Sequence, residues 1–288
     1  MNEVPVLAVI GGSGLYEFED LKNIKTVKIK TPYGNPSSPI TLGTLKGKLV
    51  AFLARHGLGH TLSPSDVPYR ANIYALKSLG VKRIVSVSAC GSLRETYSPG
   101  HIIIPDQIFD FTHKRQRSFF GKGLVAHVSV ADPFCMALSD VLEEATKATT
   151  TQYHRGGTYI TIEGPRFSTK GESNLYRLWG IDIIGMTASP EVFLAREAEM
   201  CYTTMAHVTD YDVWHVSEDT VTVEMVVKTL LKNVRLAQEI IEKLVDLINP
   251  ENICDCESAL KDALITNHDA IDPDKRQELN ILIDKYLA

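Results

Sequence analysis

The stretch Val6-Leu7-Ala8-Val9-Ile10-Gly11-Gly12-Ser13-Gly14 decides how this chain is read: apolar residues run without a break into a glycine-rich turn. A short, continuous apolar run fits a strand buried on both faces, the kind found in parallel sheets. The pattern repeats downstream. Lys48 to Leu53 is a second strand-like run, closed by Arg55-His56-Gly57, and Arg83 to Ala89 is a third, closed by Cys90-Gly91-Ser92. Ile102 to Pro105, Thr158 to Ile162, Ile181 to Met186 and Tyr202 to Val208 continue the series.

Helical patterns lie between these runs. Tyr69, Ile73 and Leu76 fall at i, i+4 and i+7 after Pro68, with Gly80 just past the end. Further helices are expected from about Pro133 to Thr146, from Pro190 to Met200 and from about Thr222 to Ile248. The last carries an apolar stripe from Val223 to Val245 and is closed by Asn249-Pro250. Strands alternating with helices predict an α/β fold: a single three-layer domain with a central mixed, mostly parallel β-sheet flanked by helices. The expected boundaries are 1–265 for this domain and 266–288 for a C-terminal helical tail. Pro273 opens the tail helix, whose Leu279, Leu282 and Tyr286 share a face that docks either on its own body or on a neighbouring subunit.

Composition bounds the function. With 288 residues, 44% hydrophobic and 23% charged, the chain can build a sizeable core, which excludes general disorder. Thirty Lys+Arg against 35 Asp+Glu give a net charge of -5, which argues against broad binding to nucleic acid. No apolar run is long enough to predict a membrane span, and Met1-Asn2-Glu3-Val4 lacks the basic start of a signal peptide. With five cysteines, an odd number, a cytoplasmic location is expected.

The strand ends are the first candidates for chemistry. Gly11-Gly12-Ser13-Gly14 is either a tight structural turn or an anion site, since small residues let the backbone approach phosphate. It is not a dinucleotide fingerprint, because Glu17 stands where the last glycine belongs. Arg55-His56 offers a guanidinium fork and an imidazole for phosphate, or else an exposed strand end with a satisfied histidine. Ser88-Ala89-Cys90-Gly91-Ser92 is a packed turn or a third anion contact. The three strengthen one another, because open α/β sheets collect ligands beyond the carboxyl ends of their strands. In Thr209-Asp210-Tyr211-Asp212 two carboxylates stand two apart, where an extended chain puts both on one face. They suit a ligand edge bearing hydrogen-bond donors, or a ring nitrogen that accepts from a protonated acid; a solvated acidic turn is the plainer reading. The cysteines form no zinc spacing: Cys90, Cys135 and Cys201 read as buried thiols, and Cys254-Asp255-Cys256 as reduced thiols or a redox pair.

Taken in order, these strings resemble the trimeric purine nucleoside phosphorylase family over roughly residues 5–248, and within it the branch acting on methylthioadenosine. The resemblance rests on GGSGLY from Gly11, TPYGNPS from Thr31, ARHGLGH from Ala54, YRANIYALKSLGV from Tyr69 and SACGSLRE from Ser88. It continues through ADPFC from Ala131, TIEGPRFST from Thr161, GMTASPEVFLAREA from Gly185 and TDYDVW from Thr209.

The resemblance implies phosphorolysis of S-methyl-5'-thioadenosine to adenine and 5-methylthioribose 1-phosphate. The alternative is a broader or 6-oxopurine-preferring nucleoside phosphorylase. It implies that Ser13, Arg55, His56, Ser88, Ala89 and Thr187 hold phosphate, that Met186 packs near the ribose and Phe167 against the base, and that Ser168 helps at the base edge. Asp210 and Asp212 become the catalytic pair at the purine, with Tyr211 between them in the substrate site. Members that use 6-oxopurines resemble a pattern with Asn in place of the first aspartate, so the acid pair implies adenine. Val223, Val226 and Val227 match positions lining the 5' pocket, and His127 matches a residue reaching a neighbour's 5' pocket in a homotrimer or hexamer. No metal, nicotinamide or pyridoxal is implied; inorganic phosphate is a co-substrate. The chain departs from the pattern at Ala188-Ser189, at His207, where relatives carry a small or apolar residue, and past about residue 265, where it has no counterpart. A Cys-x-Cys near the C-terminus also occurs in some heat-adapted members, which leaves the redox reading of Cys254 and Cys256 open.

Overall fold

The computed structural model of the chain describes residues 3–12, 15, 18, 20–215 and 223–287, with residues 223–232 described by their backbone only. The strands of the described residues join one mixed sheet. The opening strand, β1 (Leu7–Gly11), is buried throughout, as an unbroken apolar run requires. It lies parallel between β4 (Lys48–Ala54) and β5 (Arg83–Ser92). The branch point is β5: along most of its length it also pairs in parallel with β11 (Cys201–Asp210), and its last residues turn to pair antiparallel with β10 (Ile183–Gly185).

Alternation along the strands sorts the core into two layers. Leu7, Val9, Phe52 and Val85 face α2 (Met136–Lys147) and α5 (Val223–Leu247), whose Leu138, Leu142, Ile240, Ile241 and Leu244 are buried against them. Ala8, Ile10, Leu53 and Ile84 face the other way, onto Ile73 and Leu76 of α1 (Tyr69–Ser78) and Val192 and Leu194 of α4 (Ala188–Glu197). Helix, sheet and helix are the three layers expected. The Lys48 ammonium closes the end of α5, donating to the carbonyls of Val245, Asp246 and Ile248 at 2.8, 2.9 and 2.8 Å.

The tail packs on its own chain. Its helix α6 (Pro273–Ile283) starts at an Asp272 cap and buries Leu279, Leu282 and Ile283 in the layer that holds α1 and α4. Glu199 fastens the end, accepting from Tyr286 Oη and Lys285 Nζ, both at 2.5 Å.

Several elements escape a reading by pattern. β2 (Lys22–Val27) is a nearly fully exposed edge strand whose lysines blunt it against further pairing. β3 (Ile40–Leu45) and β7 (Gln107–Phe111) are partly exposed, and β8 (Tyr153–Arg155) is short. α3 (Lys170–Leu178) is mostly polar and rests on a capping box, in which Thr169 Oγ1 accepts from Glu172 N while Glu172 accepts from Thr169 N. Among the described residues, no helix is long and apolar enough to cross a membrane.

Candidate active site

A cavity of about 590 Å³ opens where the carboxyl ends of β4, β5 and β11 meet. That size suits a nucleoside-scale ligand. Arg55, His56 and His60 enter it after β4, Ser88 to Gly91 from β5, His207, Thr209 and Asp210 from β11, and Asp212 from the turn that follows. Phe167 and Ser168 come from the segment before α3, Met186 and Thr187 from the turn between β10 and α4, and Asn233, Val234 and Ala237 from α5.

One end is built for an anion. Arg55 is 2% exposed and forks onto the buried Glu191 carboxylate, Nε at 2.9 Å and Nη2 at 3.0 Å. Burial opposes its charge, but the Glu191 carboxylate more than offsets that and raises the guanidinium pKa. Arg55 also donates to Ser86 Oγ at 2.6 Å and to the Val87 carbonyl at 3.1 Å, leaving one Nη1 N–H without a partner among the described residues. Its charge is therefore largely compensated, and neutral donors must carry much of any phosphate contact. Ser88 Oγ is buried without a hydrogen-bond partner, and Thr187, at the start of α4, makes no capping bond with its hydroxyl.

His56 behaves differently from the simple donor its sequence suggests. Burial, then the Arg55 charge, lower its pKa to about 4, so the ring is neutral at pH 7. Its Nδ1 sits 2.9 Å from the Leu62 carbonyl, which can only accept, so Nδ1 carries the proton and Nε2 is an acceptor. Toward an anion this ring donates through Nε2 only after gaining a proton. Its face stacks on His60 at 4.3 Å.

The other end presents acids. β11 finishes at Asp210, and a register shift between Val208 and Asp210 brings that carboxylate beside Gly91. Asp212 does not reach the cavity by strand alternation, as expected, but through a left-handed turn at φ 51°. Its N–H donates to Asp210 Oδ1 at 2.8 Å, while Thr209 Oγ1 donates to Asp210 Oδ2 at 2.6 Å. Asp212 Oδ2 is buried and unpartnered. Burial raises the pKa of both carboxyls, more than neighbouring donors lower it. A Cβ on Gly91 would sit 3.0 Å from Asp210 Oδ1 and 3.2 Å from Asp212 Cβ, so a larger residue there would press the acids outward by a few tenths of an ångström.

Other expected residues fall outside the cavity. Tyr211 turns away, its hydroxyl donating to Ser98 Oγ at 2.9 Å and its ring stacked on His215. His127 is exposed on a segment held by its N–H to the Ala263 carbonyl at 2.9 Å. Ser13 lies outside the described residues, as do the side chains of Val223, Val226 and Val227.

Two positioning residues went unread in the sequence. Glu191 sits inside GMTASPEVFLAREA, where a helical acid reads as surface. Arg115 belongs to no motif; it is buried and donates to the carbonyls of Met186, Ser189 and Glu163 at 2.7, 2.6 and 2.8 Å, tying together the two segments that carry Phe167 and Thr187. His207 is buried with both ring nitrogens unpartnered, and burial lowers its pKa to about 4, so it stays neutral. The cysteines also regroup: Cys135 and Cys201 do not stand apart from the Cys-x-Cys pair but share one cluster with it, and Cys90 alone stays separate, in the cavity wall.

Residues 6–246 match the family model described as the Phosphorylase superfamily. A protein of Koribacter versatilis named S-methyl-5'-thioadenosine phosphorylase is 49% identical over 282 residues, covering 98% of this chain and 97% of its own. That span leaves too few residues unmatched to exclude the tail, so the segment past residue 265 does have a counterpart. Among solved structures, a methylthioadenosine phosphorylase from an Antarctic soil metagenomic library superposes with a TM-score of 0.93 at 50% identity, over 98% of this chain and 99% of that one. The methylthioadenosine phosphorylase of Schistosoma mansoni, in complex with adenine, gives 0.84 at 36% identity over 89% and 96%.

Proposed function

The chain belongs to the phosphorylase superfamily, and on that footing we propose that it catalyses phosphorolysis of S-methyl-5'-thioadenosine to adenine and 5-methylthioribose 1-phosphate. One observation carries the reading: a single cavity holds the buried, unpartnered Ser88 hydroxyl at one end and two acids of raised pKa at the other. Phosphate binds among Ser13, Arg55, His56, Ser88, Ala89 and Thr187, below the sugar, and its negative charge stabilises the oxocarbenium-like transition state. The adenine lies against Phe167 with Ser168 at its edge, and Met186 packs under the ribose.

The purine must leave with its electron pair. Asp210, whose carboxyl burial pushes above its ordinary pKa, passes a proton to the five-membered-ring nitrogen, while Asp212 Oδ2 accepts from the exocyclic amine. A 6-oxopurine offers a carbonyl to that acceptor, which disfavours it. Holding phosphate and nucleoside in one cavity removes the entropy of bringing them together. The reaction calls for no prosthetic group. Val223, Val226 and Val227 precede Val234 on α5 by helical spacing and form an apolar 5' pocket that prefers methylthio over hydroxyl by about 1–3 kcal/mol.

The working unit is a homotrimer in which His127 reaches a neighbour's 5' pocket. Exposed apolar surface around α3, with Leu178 at 84% and Trp179 at 48% exposure, supports an assembly. The test is a substrate panel with and without phosphate. Adenine should appear from methylthioadenosine only when phosphate is present, with slower release from adenosine. Faster cleavage of inosine or methylthioinosine, or adenine release in water alone, would overturn the reading.

A further inference from the structure

Four of the five cysteines converge at the end of the sheet opposite the cavity. Cys135 caps the start of α2, Cys201 opens β11, and Cys254 and Cys256 flank a residue in the turn that follows α5. These residues lie far apart in sequence, yet all four sulfurs fall within 4.8 Å of one another, and Cys135, Cys201 and Cys256 are buried. We propose that these four cysteines form a tetrathiolate site for a structural zinc ion.

The geometry is close to what zinc needs. Four sulfurs at about 2.3 Å from a tetrahedral zinc stand about 3.8 Å from each other. Cys135 Sγ and Cys254 Sγ are already 3.5 Å apart, a non-bonded contact, so a small inward shift of the remaining sulfurs completes the tetrahedron. The surroundings match the charge. A bound zinc with four thiolates carries two net negative charges, and two N–H groups point at the sulfurs: Leu138 N to Cys135 Sγ and Arg196 Nη1 to Cys256 Sγ, both at 3.4 Å. Donors of this kind orient thiolate ligands and raise metal affinity. Arg196 is fixed in turn by donating to the Asp132 carbonyl. On binding, four S–H bonds ionise, four Zn–S bonds form and four protons pass to solvent. Cys90 provides the contrast: it packs among Ile103, Tyr159 and Val208 and lies outside the sulfur cluster. The site ties the turn after α5 to the starts of α2 and β11, and takes no part in turnover.

The test begins with protein purified under reducing conditions. Elemental analysis should find one zinc per chain. After removal of zinc by a chelator, cobalt(II) should restore one equivalent of metal, with the strong charge-transfer and visible bands of tetrathiolate cobalt. Chelation should lower the thermal midpoint by roughly 5–10 °C, and zinc should restore it. Cys254→Ser and Cys256→Ser should lose the cobalt bands, and Cys90→Ser should keep them. If the serine variants do not fold, the wild-type stoichiometry and spectrum decide alone. Reduced wild-type protein that binds neither metal at one equivalent overturns the proposal. So does a non-reducing mass spectrum in which all four cysteines are paired as disulfides in protein isolated without oxidant.

Discussion

β11 has two ends of opposite character. At its start, Cys201 joins three other sulfurs in a cluster reached by N–H donors. At its finish, Asp210 joins Asp212, Ser88, Ser168 and His207, several of them buried with polar atoms unpartnered. Nine residue steps of strand separate the ends, which lie about 30 Å apart. A buried polar atom without a partner costs about 1–3 kcal/mol. Gathered in one cavity, such atoms suit a site that a bound ligand or water completes, and the start of β11 has the sulfur cluster instead.

The comparison can be broken at either end. The largest expected effect is at the finish: Asp210→Asn should lower kcat on methylthioadenosine by about 10²–10⁴-fold with phosphate affinity nearly unchanged. Steady-state kinetics with both substrates varied would reveal it, and unchanged turnover would remove Asp210 from proton donation. Next is Glu191→Ala, which leaves the Arg55 guanidinium buried and unpaired. It should cost about 3–5 kcal/mol in denaturant unfolding and raise the KM for phosphate.

Acid should act at the finish as well. His56 and His207 both have folded pKa values near 4, below the ordinary 6.5, so unfolded chains bind protons that the native state refuses. Stability from this source is intact above pH 6.5 and falls as pH drops toward 4, for the fully buried His207 by about 3 kcal/mol at pH 4. His207→Met should flatten that slope in pH-dependent unfolding; an identical slope would mean His207 is protonated in the fold. A smaller change belongs to the start: Cys254→Ser should lower the thermal midpoint yet leave turnover within about twofold below it. Smallest of all, Tyr211→Phe should leave KM and kcat within about twofold, because its hydroxyl reaches Ser98 rather than the cavity.

The sequence made the buried strands easy to read, since β1, β4, β5 and β11 are apolar over most of their length. It hid β2 and α3, whose stability comes from pairing and capping rather than from an apolar face. At the site, Arg55, Ser88, Thr187, Asp210 and Asp212 were legible because strand ends and short motifs mark them, and the fold brings them to one cavity. What was not legible depends on long-range closure. Arg115 acts through carbonyls 48 to 74 residues away, and Glu191 through Arg55 136 residues away. The same holds for the cysteines, whose sequence spacing says nothing of a meeting in space. The turn at Asp212 was misread because strand alternation assumes an extended backbone, and a left-handed residue ends it.

β5 has a further consequence. Val87 to Gly91 is an unbroken piece of one strand whose Ser88 lines the end proposed for phosphate and whose Gly91 lies against the acids. On the proposed roles, attacking oxygen and departing nitrogen are gauged against a single covalent ruler, gripped by β11 along its length and by β10 at Gly91. Inserting one residue between Ser88 and Gly91 would move the two ends apart by about 3.3 Å and turn every following side chain to the opposite face. Such a protein could still bind each reactant separately and yet never bring them within bonding distance.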